Sequence, residues 1–455
     1  LDRLRAAWQA RKPDAAQRRD DLKRLRDALK RRLDDMAAAI SADFGQRAKA
    51  ESLIADGMTV LNEIDHLRRH LRGWMKPKRV GVGWRFLPAR AEIRAEPVGV
   101  VGVIAPWNYP VNLALAPLAT AIAAGNHVYL KPSEHTPRSA AFLRELLAEV
   151  FSEDRVAVAE GGADVGSAFA ALPFDHLVFT GSTAVGRKVM AAAAQNLTPV
   201  TLELGGKSPA IVCDDYPVEQ AAARLATGKW FNGGQTCIAP DYVLVPAHKR
   251  DALVAALRNE VQARYGAAFD NTSDYTCIVN DGQYARLRGY IDDAKQRGVE
   301  TLALAGEADA AQRLLPPTVV LDPGDDARVM QEEIFGPVFP IKGYRTLDEA
   351  IAYVNAHDRP LALYPFSNDR ARVEKILGTT LAGGVTVNDT VLHFGINALP
   401  FGGIGPSGMG AYHGRAGFDA MSKALPVLWQ PRRAGSDLLK PPYSKVARFI
   451  DFIIR

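Results

Sequence analysis

Three short stretches of this 455-residue chain carry side chains whose types and settings suit chemistry. Cys237 follows Asn232-Gly233-Gly234-Gln235-Thr236, a polar, glycine-rich turn placed directly after an apolar helical segment. Nothing local hides that thiol, and flanking backbone amides would stabilise a thiolate and later an oxyanion. A structural role suits the same residues, and the turn alone leaves the two readings level. Glu203 closes the run Val200-Thr201-Leu202 and precedes Leu204-Gly205-Gly206-Lys207. An acid at the carboxyl end of a strand, beside glycines that admit close backbone approach, suits a general base. A helix cap or a surface carboxylate is the plainer alternative. Asn108, in Pro106-Trp107-Asn108-Tyr109-Pro110, offers an amide N–H donor at the end of a buried strand, or simply belongs to a loop.

A fourth stretch, Phe179-Thr180-Gly181-Ser182-Thr183-Ala184-Val185-Gly186, reads as strand, turn and helix. Its glycine spacing departs from the G-x-G-x-x-G fingerprint, but a helix beginning there still points backbone amides at a phosphate. The two other cysteines, Cys213 and Cys277, lie among aliphatic residues and read as small core side chains. Three cysteines make no disulfide framework, so a reducing compartment, the cytoplasm, is expected.

The elements that must hold these residues follow from hydrophobic periodicity. Leu22, Leu25, Leu29 and Leu33, and then Leu53, Val60, Leu61, Ile64, Leu67 and Leu71, form stripes at helical spacing. Arg79–Trp84 and Ala91–Glu96 read as short strands around a proline turn, a candidate arm for another subunit. Val98–Ile104 is a continuous apolar run, the pattern of a strand buried on both faces. An alanine-rich helix over 111–124 follows, then strands at Val128–Leu130, His176–Phe179 and Thr198–Leu202 with helices between them. A second series begins at Ala210–Val212 and runs through a helix over 217–230, Tyr242–Val245 and strands near 318 and 338. The alternation predicts an α/β fold of two doubly wound open-sheet domains joined near residue 205, with ligand sites at the strand ends.

Composition excludes several classes. Hydrophobic residues make up 47% of the chain and charged residues 24%, an ordinary globular balance rather than a disordered or collagenous one. The net charge of +5 comes from 56 Lys and Arg against 51 Asp and Glu, too weak a field to indicate a nucleic-acid partner. Apolar runs fall well short of the roughly 20 residues that span a bilayer, so no stable membrane insertion is expected. The charged start, Leu1-Asp2-Arg3-Leu4-Arg5, is expected not to be a signal peptide. The terminal Phe449–Ile454 is expected to pack onto the body or a partner subunit rather than onto a membrane.

Taken together the motifs resemble the NAD(P)-dependent aldehyde dehydrogenases over nearly the whole chain. Glu203–Pro209, Gly234–Cys237 and Pro106–Pro110 match the family's glutamate, cysteine and asparagine motifs. Lys131–Glu134 and Gly181–Thr183 match its cofactor motifs, and Glu332–Pro337 and Pro400–Gly403 complete the set. Lys131-Pro132-Ser133-Glu134, Ser407–Gly414 and Lys440–Tyr443 resemble the class-three branch. Leu172–His176 and Ala239–Pro246 are similar to bacterial coniferyl aldehyde dehydrogenases.

The resemblance implies a Rossmann-like cofactor domain (1–78 and 100–204), a catalytic domain (205–387), and a small β oligomerisation arm with a C-terminal region (79–99 and 388–455). It implies Cys237 as nucleophile, Asn108 as oxyanion donor and Glu203 as the base that activates water. Trp107, Lys131, Ser133, Glu134, Gly181, Ser182, Gly186, Glu333 and Phe335 would hold the cofactor: NAD first, with NADP possible. The substrate would be coniferaldehyde or a similar aromatic aldehyde, with medium- or long-chain aliphatic aldehydes the alternative. Tyr109, Trp230, Phe231, His393, Phe394 and Tyr412 are candidates to line an aromatic tunnel. A homodimer is implied. A non-catalytic binding protein on the same fold would have lost Cys237, Glu203 or Asn108, and all three are present. A cysteine hydrolase would need a histidine partner motif, and none of the nine histidines carries one.

Overall fold

The strand-and-helix alternation builds two large sheets and one small one in the computed structural model, which describes residues 1–270, 272–432, 441–447 and 450–451. The first sheet has six strands, in the order Gly408–Met409, Val200–Glu203, His176–Thr180, Val100–Ile104, His127–Lys131 and Val156–Val158. All neighbours run parallel except Gly408–Met409, which pairs antiparallel with Val200–Glu203. Val100–Ile104 is buried at every position, as its unbroken apolar run requires.

Helix Asn112–Ala124 is likewise buried along its whole length and ends at Gly125, whose φ of +96° supplies a left-handed cap. Helices Ala15–Arg31 and Thr59–Trp74 bury Leu22, Leu25 and Leu29, and Val60, Ile64, Leu67 and Leu71. Those are the stripes read from the sequence less three members: Leu61 is only half-buried, and half-buried Leu33 and Leu53 fall in neighbouring helical turns. Between them a π-helical turn, Leu53–Met58, carries Asp56 into the interior.

The second sheet has seven strands, in the order Thr301–Ala303, Thr318–Leu321, Val338–Tyr344, Tyr242–Pro246, Pro209–Val212, Ala362–Phe366 and Gly384–Val385. It is parallel apart from its first pair. Helix Val218–Trp230 leaves this layer and delivers the chain to the cysteine turn.

The third sheet is antiparallel: Lys78–Val80, Arg90–Pro97 and Ser422–Trp429. Its first strand stops at Val80 rather than Trp84, and Gly83, at φ +70°, leads into a 3-10 turn at Trp84–Phe86. The region beyond 388, read on sequence as arm and tail, also supplies the edge strand beside Glu203. Cys213 follows its strand, and Cys277 is buried in a loop outside any strand. Lys440 and most of the apolar stretch 449–454 lie outside the described residues. Among the described residues no helix is long and apolar enough to cross a membrane.

Candidate active site

The carboxyl ends of first-sheet strands Val100–Ile104, His176–Thr180 and Val200–Glu203, with the segments that lead into second-sheet strands Tyr242–Pro246 and Val338–Tyr344, border a cleft of about 650 Å³, lined by Glu203, Cys237 and Asn108 together. Glu203 ends its strand with its backbone held on both sides. Its carbonyl accepts from the Gly181 N–H at 3.0 Å, and the residue pairs with Gly408 in the edge strand. The residue is 2% exposed and neither carboxyl oxygen has a hydrogen-bond partner. Burial therefore holds the carboxyl well above the usual carboxylate range, making it a stronger base once ionised.

The cysteine turn is built by backbone that no helix could continue. Asn232, Gly233 and Gly234 have φ of +55°, +59° and +76°. A Cβ on Gly234 would stand 2.3 Å from the Gly336 carbonyl oxygen, so only glycine fits. Buried Gln235 braces the turn. Its Nε2 donates to the Asn232 and Cys277 carbonyls, both at 3.0 Å, and its Oε1 accepts from the Val279 N–H at 3.0 Å. Burial first, then Glu333 and Glu203, push the Cys237 thiol up to about 12. The Cys237 and Ile238 amides act in the opposite direction, as the turn suggested, but they are outweighed.

Asn108, 2% exposed, spans the two halves of the site. One side-chain N–H donates to the Gln235 carbonyl at 3.2 Å, while the Asn108 carbonyl accepts from Asn232 Nδ2 at 3.0 Å. A primary amide carries two N–H donors, and this bond uses one of them.

Trp107, Gly181, Ser182, Glu333 and Phe335 line the same cleft. The Trp107 and Phe335 rings meet edge-on at 5.2 Å. Ser182 caps helix Thr183–Ala194 by accepting from the Val185 N–H at 3.4 Å, so the helix begins at the cleft wall. Burial and then Asp241 raise the Glu333 carboxyl to about 8, against the Gly206 N–H, Lys207 and Arg286. Gly205 passes so close that a Cβ there would lie 1.9 Å from Glu333 Oε2.

Gly186 stands behind the cleft wall, where a Cβ would lie 2.6 Å from Leu204. Lys131, Ser133 and Glu134 are not among the residues lining the cleft. Lys131 Nζ pairs with Glu134 at 2.7 Å, and Ser133 Oγ accepts from the His135 N–H at 3.2 Å. Burial would raise Glu134, but its bond to Lys131 holds the carboxyl below its ordinary value.

None of the six aromatic candidates for a tunnel lines this cleft. Trp230 is a core residue whose indole N–H donates to the Pro337 carbonyl at 3.0 Å. Sequence reasoning missed Arg187, Gln283 and Arg286, which do line the cleft. Arg286 sits on the solvent-facing pattern of helix Asp281–Gln296, and only the tertiary structure turns it toward the Glu333 carbonyl at 3.3 Å.

The aldehyde dehydrogenase family model matches residues 4–425. This chain belongs to the aldehyde dehydrogenase family. It is 51% identical over 97% of its length, and 93% of the relative's, to the "Probable coniferyl aldehyde dehydrogenase" of Pseudomonas aeruginosa strain PAO1. To "Aldehyde dehydrogenase family 3 member A2" of Rattus norvegicus it is 40% identical over 94% of this chain and 87% of the other, consistent with the class-three-like branch. A solved structure of AldH from Staphylococcus aureus in a substrate-bound state superposes with a TM-score of 0.95 at 38% identity, covering 100% of this chain and 98% of that one.

The enzyme thus oxidises an aldehyde to the carboxylic acid, and its family uses NAD(P) as the oxidant. For this aldehyde dehydrogenase, the cleft is the place where a thiol, an amide donor and a partnerless carboxyl share one space.

Proposed function

We propose that the enzyme forms its acyl intermediate on Cys237, stabilises the oxyanion with Asn108 and hydrolyses the intermediate with Glu203. The single observation that supports this reading is that these three side chains line one cleft of about 650 Å³ with the start of helix Thr183–Ala194. The cleft fits a dinucleotide. It has the volume of a cofactor site, a helix N-terminus for phosphates, an ionisable Glu333 for a ribose and the Trp107–Phe335 pair for a ring. Gly181 and Ser182 would face the pyrophosphate, and Gly186 allows their helix to pack closely on Leu204. Lys131, Ser133 and Glu134 would serve the adenosine side. When bound, the nicotinamide accepts the hydride.

The chain's own groups do the rest. The Cys237 sulfur attacks the aldehyde carbon to give a thiohemiacetal, its proton passing to cleft water as the C–S bond forms. The second Asn108 N–H and the Cys237 N–H hold the oxyanion. Hydride departure leaves a thioester on Cys237. Glu203 takes a proton from water, whose oxygen adds to the thioester carbonyl, and collapse breaks the C–S bond, the Cys237 sulfur taking that proton back from Glu203 as the carboxylic acid leaves.

NAD is preferred over NADP because the Glu134 carboxylate, held ionised by Lys131, accepts from a ribose 2′-hydroxyl and repels a 2′-phosphate. Coniferaldehyde or a related aromatic aldehyde is the substrate, a reading supported by the similarity to a coniferyl aldehyde dehydrogenase. The first sheet with its helices forms the cofactor domain and the second the catalytic domain. The three-stranded arm, which leaves Leu428, Trp429 and Leu425 exposed, joins two copies into a dimer that works in a reducing cytoplasm. Comparing kcat/KM for coniferaldehyde, benzaldehyde and octanal, each with NAD and NADP, tests the substrate and cofactor together. The expected result is a preference of about tenfold or more for coniferaldehyde over octanal, with NAD the better oxidant. Equal efficiency with all three aldehydes removes the coniferyl reading, and a preference for octanal replaces it with the aliphatic one.

A further inference from the structure

We propose that Arg47 is a positioning residue for the acylation step, clamping the asparagine loop and the cysteine turn into one rigid unit. The proposal rests on the reading of Cys237 and Asn108 given above. Arg47 lies between helices Leu33–Phe44 and Lys49–Ser52, far in sequence from either motif, and its side chain is fully buried. Nη1 donates to the Asn108 carbonyl at 3.3 Å, the same oxygen that accepts from Asn232 Nδ2 at 3.0 Å. The peptide that carries the oxyanion amide is therefore gripped from both sides. The guanidinium also lies over the Tyr109 ring, 5.0 Å from its centre, and the Tyr109 hydroxyl shares a hydrogen bond of 2.5 Å with Thr236, the residue before Cys237.

Two carboxylates, the buried Asp56 and the partly buried Glu51, extend the clamp. Asp56 Oδ2 is 3.2 Å from Arg47 Nη2, while Asp56 Oδ1 accepts from the Val111 and Asn112 N–H groups at 3.1 and 2.9 Å. Those two residues open the helix that follows the asparagine motif. Glu51 Oε2 is 3.9 Å from Arg47 Nε and accepts from the Thr276 hydroxyl, and Glu51 Oε1 accepts from the Asn232 N–H at 2.8 Å. One carboxylate thus holds the asparagine side, the other holds the cysteine side, and Arg47 is their common counter-charge. A buried ion cluster of this kind contributes little net stability, because desolvation consumes most of the attraction. Arg47 Nε and Nη2 even lack an aligned acceptor. What the cluster yields is geometry: it sets where the Asn108 amide stands relative to the Cys237 sulfur.

Arg47→Lys keeps the charge but loses the planar fork, so it separates positioning from simple neutralisation. The burst of NADH with aldehyde should slow by about 10- to 100-fold, the cost of loosening a preorganised pair. Affinity for NAD, measured by titration, should stay at the wild-type value. Acylation would then limit turnover, so a primary isotope effect on kcat with 1-deuterated aldehyde should appear in the variant alone. A role confined to stability would not create that isotope effect. If Arg47→Lys does not fold, the double variant Arg47→Met with Asp56→Asn removes the ion pair as a unit and is read by the same burst and isotope effect. A folded variant that binds NAD and keeps the wild-type burst rate overturns the proposal, as does loss of NAD affinity in parallel with the burst. Wild-type enzyme and Cys237→Ser run alongside. Undiminished oxidation by Cys237→Ser would instead refute the nucleophile assignment itself.

Discussion

Glu203→Gln is the substitution that divides the proposed reaction most cleanly. The side chain is 2% exposed with both oxygens unpartnered, and its backbone is fixed between Gly181 and Gly408, so the isosteric amide should be accommodated without moving the strand. Only the ability to take a proton is removed. Loss of a positioned general base typically costs about 10²- to 10⁴-fold, and here that loss should fall on deacylation alone. Rapid mixing of enzyme, NAD and aldehyde should release about one NADH per active site and then nearly stop, as an acyl-enzyme accumulates. Intact mass should show the acyl group on Cys237.

The acid limb gives a second reading of the same variant. Burial raises the Glu203 carboxyl, so wild-type kcat should fall as pH drops through a value above the usual carboxylate range, and the variant should lose that limb. Stability changes with the opposite sense. A carboxyl raised in the folded state stabilises below its unfolded value, and that contribution is lost as pH rises through the folded one. The variant, which never ionises, should lose less stability in alkali. Steady turnover near the wild-type rate, or a burst slowed as much as the steady state, would refute the assignment of Glu203 to the water step.

Two further outcomes follow from the site. Because burial, Glu333 and Glu203 push the Cys237 thiol up to about 12, iodoacetamide labelling of the cofactor-free enzyme, followed by peptide mass at Cys237, should climb with pH and show no plateau below about pH 10. A plateau near neutrality would contradict that electrostatic account. In Gly205→Ala the new Cβ would stand 1.9 Å from Glu333 Oε2, so the carboxyl must move out of place. Loss of one charge-assisted hydrogen bond to the cofactor should weaken NAD binding about 10- to 100-fold by titration, and unchanged affinity would remove Glu333 from the cofactor site.

Much of the architecture is legible in the sequence because the strands of a covered parallel sheet are buried on both faces. Val100–Ile104 therefore appears as an uninterrupted apolar run, and the helices over it as stripes of leucine. The short arm strand ends at Val80, before the Trp84 that its pattern predicts, because the glycines at 81 and 83 look neutral in a pattern but break the ladder in three dimensions. The pairing of Gly408–Met409 with Val200–Glu203 crosses two hundred residues and leaves no local periodicity to read.

The chemistry divides along the same line. The chain by itself determines which groups are on offer: a thiol in a glycine turn, a carboxyl at a strand end and an amide at another, each inside a contiguous motif whose backbone needs are local. The tertiary structure alone decides their protonation, since desolvation raises Glu203, and desolvation with through-space charges raises Glu333 and, against its flanking amides, Cys237. It alone brings Arg286 to the cleft and Arg47 beneath it. A guanidinium's reach and the sign of a carboxyl's surroundings depend on distances that no spacing along the chain encodes.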